Sequence, residues 1–485
     1  MPTQFPAMGG GDSRRTNVVV VSRPMSDDVK RLDEAPLNLF HLRTVVLSGV
    51  GFFTDAYDLF IIGAALVLLK DQWHLHKEMV GLVGSTTLLA NFVGAFLFGR
   101  LADLLGRKKF YVTVPVIMAV ASLLTAFSPN IWWLLVFRFL LGVGIGGDYP
   151  LSAVMTSEYA NVRDRGKLVG LVFSMQAVGL IAGPIVAITL LASGLPHGMV
   201  WRLMLGLGAL PSCAVIYLRS KIPESPRYKA QVLGYSESQA ALSDSDATLA
   251  NRPVVATGKV SLFQFLTNRK MLLTLLGTAG TWFMFDYAYY GNSISTPQIL
   301  KLVAPGANLL QTEAWTLIVF AVFAVPGYFL AVGFVDKIGH RRLQLIGFAV
   351  MGLAFLAMGI FPGVTTAIVP FLLLYGISYF FSEFGPNTTT FILAAELYPT
   401  SVRTTGHGLS AGTAKIGAFI GVFLFPSLST ALGLRGTLII TGVFSAIGFV
   451  LTFLLPEAAN RSLDEVAGQE KVHGHSYVKQ VPNRA

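Results

Sequence analysis

Apolar stretches of about 20 residues recur along the whole chain, each closed by a short polar or charged break. Twelve can be counted, starting near residues 43, 78, 109, 131, 166, 199, 270, 313, 341, 365, 405 and 434. A stretch of that length crosses a ~30 Å hydrocarbon core as an α-helix. Lipid offers the backbone no hydrogen-bond partner, so only helices and closed barrels can cross it. The pattern predicts an all-α membrane protein with twelve transmembrane helices. Residues 220–269 interrupt it with small and polar residues, including Ser236-Glu237-Ser238-Gln239 and Ser243-Asp244-Ser245-Asp246. Such composition reads as a flexible linker. It divides the chain into a half at 43–219 and a half at 270–456, with tails at 1–42 and 457–485.

The halves repeat each other. Gly99-Arg100-Leu101-Ala102-Asp103-Leu104-Leu105-Gly106-Arg107-Lys108 follows helix two, and Gly333-Phe334-Val335-Asp336-Lys337-Ile338-Gly339-His340-Arg341-Arg342 follows helix eight, at an offset of 233 residues. Glu158 and Arg165 after helix four match Glu396 and Arg403 after helix ten, at an offset of 238. Pro223-Glu224 after helix six matches Pro456-Glu457 after helix twelve, again at 233. Three pairs at nearly one offset indicate a duplicated six-helix unit. The repeated carboxylates and arginines sit at helix ends, where they can pair with each other and with helix dipoles. Asp103, Arg107, Glu158, Arg165, Asp336, Arg341, Glu396 and Arg403 are therefore expected to latch one face of the protein shut.

Charge gives the orientation. The net charge of +10 does not mark a nucleic-acid binder, because the basic residues are not gathered on a soluble fold. About 29 of the 36 Lys and Arg fall in the tails, the linker and the even-to-odd loops. This asymmetry puts both termini in the cytoplasm. Only 13% of residues are charged, against about 25% in soluble domains. Cys213 is the only cysteine, so no intrachain disulfide can form. No apolar segment before residue 43 is long enough for a cleaved signal peptide. A Walker loop and a metal-spaced His/Cys cluster are both missing from the sequence, so neither an enzyme, a cofactor nor a metal is expected.

The polar residues inside the apolar stretches are few: Asp55, Asp58, Asn91, Arg138, Asp148, Gln176, Asp286, Glu383, Asn387 and Lys415. An ionisable group at mid-bilayer depth is costly and marks function by default. Counted at 1.5 Å per residue, Asp148 lies roughly 15 Å above the rim at Glu158. Gln176, Asp286, Asn387 and Lys415 fall near the same plane. Trp282, Asp286 and Tyr290 stand at i, i+4 and i+8, on one face of helix seven. Indole N–H and phenol O–H donate, and so does a protonated carboxyl, which suits a small oxygen-rich ligand. Lys415 is a buried cation in need of an anionic partner. Arg138 suits a tie to Asp55 or Asp58, or tuning of a proton path.

Gly146-Gly147-Asp148-Tyr149-Pro150-Leu151-Ser152 resembles the fourth-helix signature of the phosphate:proton symporters, a branch of the major facilitator superfamily. Gly51-Phe52-Phe53-Thr54-Asp55-Ala56-Tyr57-Asp58-Leu59-Phe60 looks like that family's first helix. The resemblance runs from about residue 45 to 425 and implies the major facilitator fold. It implies that Tyr149, Gln176, Trp282, Asp286, Tyr290 and Asn387 surround inorganic phosphate. It assigns Asp55, Asp148, Asp286 and Lys415 to proton coupling and charge balance. The implied function is import of phosphate with protons across a plasma or bacterial inner membrane, by a chain compatible with a monomer. One departure stands out: Glu383 lies just ahead of Gly385-Pro386-Asn387, where the family often has a neutral residue. It could carry an extra proton, pair with Arg138 or Lys415, or mark a different solute. An organic anion, a glycerophosphodiester and a sugar remain the alternative cargoes.

Overall fold

The computed structural model describes residues 39–225, residue 228 and residues 262–467. Most of the expected linker and both tails lie outside the described residues. The described chain is helical throughout, and its long helices begin close to the expected positions. They are α1 (Leu39–Trp73), α2 (Lys77–Leu105), α3 (Arg107–Ala126), α4 (Ile131–Tyr159), α5 (Arg165–Ser174 continued by Gln176–Ala192) and α6 (His197–Gly206 continued by Ala209–Ser220). The second half supplies α7 (Arg269–Ser293), α8 (Leu309–Ile338), α9 (His340–Ile360), α10 (Ile368–Glu396), α11 (Arg403–Ala431) and α12 (Gly433–Thr452). Eleven of these helices are long and apolar enough to cross a membrane. The twelfth, α7, has the length, with 25 residues, but Trp282, Asp286, Tyr287, Tyr289 and Tyr290 dilute its apolar character.

Each half packs its own six helices, and two seams join the halves: α2 against α11, and α5 against α8. These are equivalent seams in the duplicated unit. At the first, α2 and α11 touch backbone to backbone. A Cβ on Gly99 would lie 3.2 Å from the Gly408 Cα and 2.8 Å from the Thr404 oxygen. Close approach of this kind requires glycine. Large apolar side chains of α3, α6, α9 and α12 stay exposed, among them Val120, Leu210, Leu353 and Val450, as a lipid-facing surface requires.

The repeated loops have repeated geometry. Gly106 (φ 99°, ψ 148°) and Gly339 (φ 99°, ψ 142°) occupy a region open essentially to glycine alone. Over each glycine sits the carboxylate of the other repeated motif. Glu224 accepts from the Lys108 N–H at 3.1 Å, and Glu457 accepts from the His340 N–H at 2.8 Å and the Arg341 N–H at 3.3 Å. Each Glu thus closes the N-terminus of the next helix, α3 or α9, where the helix dipole favours an anion. The end of the bundle carrying these loops is called the inner end below, after the orientation that the charge asymmetry predicts.

Besides α6, which is interrupted at Leu207-Gly208, three helices are broken near mid-depth. α5 loses regularity at Met175, immediately before Gln176. α8 has a wide π turn over Phe320–Ala324, just ahead of Pro326. α10 has another over Glu383–Asn387, where Gly385 leaves the helical region (φ −120°, ψ −109°) and Pro386 has no N–H to give. The carbonyls freed in α10 are taken by the next three residues. Thr388 donates to the Glu383 oxygen (2.8 Å), Thr389 to Gly385 (3.0 Å) and Thr390 to Pro386 (2.7 Å). Irregular backbone at membrane depth is tolerated where protein satisfies it and where a site is lined.

Candidate functional site

The broken segments converge on one polar layer. Gln176 donates its amide N–H to the Tyr149 hydroxyl at 2.9 Å and accepts from the Tyr328 hydroxyl at 3.0 Å. Asn387 donates to Tyr328 at 2.8 Å. Tyr149 and Tyr290 share a hydroxyl–hydroxyl bond of 3.3 Å. A single hydrogen-bonded chain therefore runs Asn387, Tyr328, Gln176, Tyr149, Tyr290, crossing between the halves twice. Beside its Tyr149–Tyr290 end, Lys415 donates to Asp286 Oδ2 at 2.8 Å. Its ammonium stands 4.2 Å from the Tyr290 ring centre and 4.7 Å from that of Tyr149. Trp282 borders the same rings, 6.3 Å from Tyr149. All six expected substrate residues are brought together, each 2% exposed or less.

Aromatic rings from both halves close this layer above and below. On the inner side, Phe391 of α10 stacks on Phe173 of α5 at 4.5 Å and meets Phe52 of α1 edge-on at 5.0 Å. On the outer side, Phe60 of α1 stacks on Tyr290 at 5.9 Å and meets Phe320 of α8 at 6.1 Å. Such ring pairs add about 0.5–1.5 kcal/mol each beyond buried area, a scale that thermal rearrangement can overcome.

The expected coupling carboxylates occupy different settings. Asp55 is fully buried, and neither oxygen meets a hydrogen-bond donor among the described residues. Asp148 is gripped by Arg219, whose two terminal nitrogens reach its two oxygens, the second at 3.0 Å, while Ser152 donates at 3.1 Å. Arg219 also lies over the Tyr111 ring at 4.2 Å and donates to the Ser48 carbonyl at 3.3 Å. Asp58 accepts from Ser122 at 3.1 Å. Of the two expected partners, Arg138 goes to Asp58, through the backbone carbonyl at 3.4 Å, tying α4 to α1. Glu383 pairs with neither Arg138 nor Lys415. It accepts from the Asn387 amide at 2.5 Å.

The latch residues lie at the inner end, and their pairing largely follows the repeat, with His340 in the place of Arg107. Arg107 reaches Asp103 at 3.2 Å, Glu158 at 3.1 Å and the Thr400 carbonyl at 3.0 Å. Arg403 crosses to Glu158 at 3.4 Å, and Asp103 accepts from the Thr405 N–H and hydroxyl, both at 2.6 Å. At the other seam, Asp336 accepts from the Lys167 N–H at 2.9 Å, and His340 bridges Asp336 and Glu396, each at 3.2 Å. Arg165 donates to the Arg461 carbonyl at 3.0 Å. Arg341 instead stays within its half, donating to the Phe453 carbonyl at 3.3 Å, and His340 takes the bridging place expected of it. The reason is register: at the 233-residue offset His340 is the counterpart of Arg107, and Arg341 is that of Lys108.

Four participants escape a reading by apolar stretches. Arg219 sits at the end of α6 and reaches inward along its aliphatic stem. Tyr328 looks like one more aromatic in an apolar run, although its place two residues after Pro326 marks a broken helix. His340 reads as a loop residue. Glu313 lies in the first turns of α8, 2% exposed, beside a cavity of about 10 Å³ also lined by Phe60, Pro184 and Phe320.

Comparison with known proteins gives a consistent result. The family profile described as "Sugar (and other) transporter" matches residues 44–469. The "Probable inorganic phosphate transporter 1-6" of Arabidopsis thaliana is 36% identical, over 91% of this chain and 96% of its own length. The "Inorganic phosphate transporter 1-11" of Oryza sativa subsp. japonica is 34% identical, over 90% and 89%. Among solved structures, the proton:xylose symporter XylE bound to 6-bromo-6-deoxy-D-glucose superposes with a TM-score of 0.73 at 18% identity, covering 88% of this chain and 98% of that one. The partially occluded inward open conformation of XylE from E. coli gives 0.67 at 17% identity, covering 87% and 99%. At these identities the structures show a shared fold.

Proposed function

Because the chain belongs to the sugar (and other) transporter family of the major facilitator superfamily, and within it to the inorganic phosphate transporters, we propose that it imports inorganic phosphate together with protons by alternating access. The observation that carries this reading is the Lys415–Asp286 pair seated against Tyr149 and Tyr290. A cation paired with a titratable carboxylate, at the end of a chain of donors, suits an anion and a proton better than a neutral polyol. In this reading the chain works in a plasma or bacterial inner membrane with both termini cytoplasmic, and catalyses no covalent chemistry.

The roles follow from the contacts. Tyr149, Gln176, Trp282, Tyr290 and Asn387 offer O–H and N–H donors to phosphate oxygens. Two anions in a water-poor pocket repel each other, so H2PO4⁻ is held when Asp286 carries a proton, and that O–H donates too. Lys415, released from Asp286, then balances the phosphate charge. After release Asp286 loses its proton inward and recaptures Lys415, resetting the carrier. Asp55, whose oxygens meet no hydrogen-bond donor among the described residues, takes the relay proton. Asp148, with both oxygens on Arg219, supplies charge balance to the relay.

Access alternates at the two aromatic layers and at the inner latch. Asp103, Arg107, Glu158, Arg165, Asp336, Glu396 and Arg403 hold the inner end closed, and Arg341 braces α9 against α12. Glu158 joins Arg107 to Arg403 across the halves. Glu158→Gln is therefore expected to favour the inward-open form, raising maleimide labelling of a Thr400→Cys reporter (Cys213→Ser background) roughly tenfold, the shift given by about 1.4 kcal/mol. Equal labelling with and without the substitution would remove Glu158 from the latch.

Ligand choice is tested with the purified protein in detergent. Millimolar phosphate is expected to raise its unfolding temperature, while xylose and glycerophosphocholine leave it unchanged. Stabilisation by either of those in place of phosphate would overturn the assignment.

A further inference from the structure

Glu383 is a buried carboxylate for which the phosphate reading provides no work. It sits at the first position of the π turn of α10, 0% exposed, and Oε1 meets no donor by hydrogen-bond geometry. The neighbouring elements give it no cation among the described residues. α7 presents Tyr289, α8 presents Tyr328 and the bare backbone at Gly327, and α9 packs Gly347 against the adjacent Gly385 and Pro386. A carboxylate charge buried this way, with no cation to pair with, is strongly disfavoured.

Beside the nearby Tyr289 and Tyr328 hydroxyls, its closest hydrogen bond among the described residues is to a substrate residue. The Asn387 amide has two N–H groups. One goes to the Tyr328 hydroxyl at 2.8 Å and the other to Glu383 Oε2 at 2.5 Å. With Glu383 ionised, both donors are spent inside the protein, and an anionic substrate must compete with another anion for one of them. With Glu383 protonated the conflict disappears. Its O–H can donate to the Asn387 carbonyl oxygen, and the freed N–H can turn to the ligand.

We propose that Glu383 is a second proton-binding group of this carrier, linked to the substrate through Asn387. The proton enters with phosphate and leaves with it, so the chain carries one proton more per anion than it would with a neutral residue at 383. The inference rests on the proton-coupled phosphate reading and deepens it. Glu383 is a positioning residue: it acts on the ligand through the Asn387 amide.

The test is thermodynamic. In proteoliposomes with the membrane potential clamped at zero, steady-state phosphate accumulation is measured against the size of the imposed pH gradient. Each coupled proton contributes about tenfold accumulation per pH unit. Glu383→Gln is expected to lose about tenfold per pH unit relative to the unmodified chain, and Glu383→Asp to regain it. A Gln variant without net uptake that still exchanges labelled for unlabelled phosphate supports the proposal, since exchange needs no net proton release. A Gln variant with the unmodified slope overturns the proposal and leaves the phosphate reading intact. Loss of exchange as well, in a variant that elutes as a folded monodisperse species, overturns it by making Glu383 part of ligand binding alone. An unmodified chain that accumulates no phosphate overturns the underlying reading and the proposal with it.

Discussion

Asp286→Asn is expected to lower pH-driven phosphate accumulation by two orders of magnitude or more, roughly the cost of about 3 kcal/mol. Asn keeps the size of Asp and a hydrogen-bonding end, so packing against Trp282 and Tyr290 survives. It cannot exchange a proton, and it leaves Lys415 without its anion at the resetting step. Breaking one partner of a buried pair costs about 3–5 kcal/mol, because the other charge stays buried and uncompensated. Phosphate itself can supply that missing charge, so the variant is expected to bind phosphate and fail to return empty. The check is a pair of assays on one preparation: net uptake lost, phosphate–phosphate exchange retained. Full gradient-driven accumulation by Asp286→Asn would remove Asp286 from the coupling mechanism.

The second large effect concerns stability. Arg219 fills a pocket between α1, α3 and α4 with its guanidinium on Asp148, the Ser48 carbonyl and the Tyr111 face. Arg219→Met is expected to destabilise the protein by about 3–5 kcal/mol, since Asp148 is then buried without a cation. Converting both partners, Arg219→Met with Asp148→Leu, is expected to recover most of that loss, because a buried pair replaced by apolar groups of similar volume is often neutral. Urea unfolding in detergent measures both. A single variant within about 0.5 kcal/mol of the unmodified chain would mean that Asp148 has another partner or holds no charge.

The two expectations show what a sequence does and does not make visible. Twelve apolar stretches, a repeat at offsets of 233 and 238, and the charge asymmetry are linear properties, so the helices and the duplication can be read directly. Asp286, Asn387 and Lys415 stand out because a polar group in an apolar stretch has to be explained. Arg219 and His340 do not stand out, because both sit at helix ends where charge is ordinary. Only the packing within each half reveals that one reaches Asp148 and the other bridges Asp336 to Glu396. Tyr328 is hidden for the opposite reason: an aromatic in an apolar run is ordinary, and its hydroxyl becomes meaningful only once Gln176 and Asn387 are seen to meet it. The latch was legible as a set of charged positions, while its pairing was not, because Arg403 crosses to Glu158 of the other half and leaves Glu396 to His340.

The measurement that bears most directly on the central claim is uptake of radiolabelled phosphate into proteoliposomes, with an inside-alkaline pH gradient imposed and then collapsed. The account predicts accumulation above the external concentration while the gradient lasts, and its loss when the gradient is dissipated. Excess unlabelled phosphate should block it, while glucose and glycerophosphodiesters should not. Gradient-independent equilibration, or no uptake by a folded protein, would contradict proton-coupled phosphate transport.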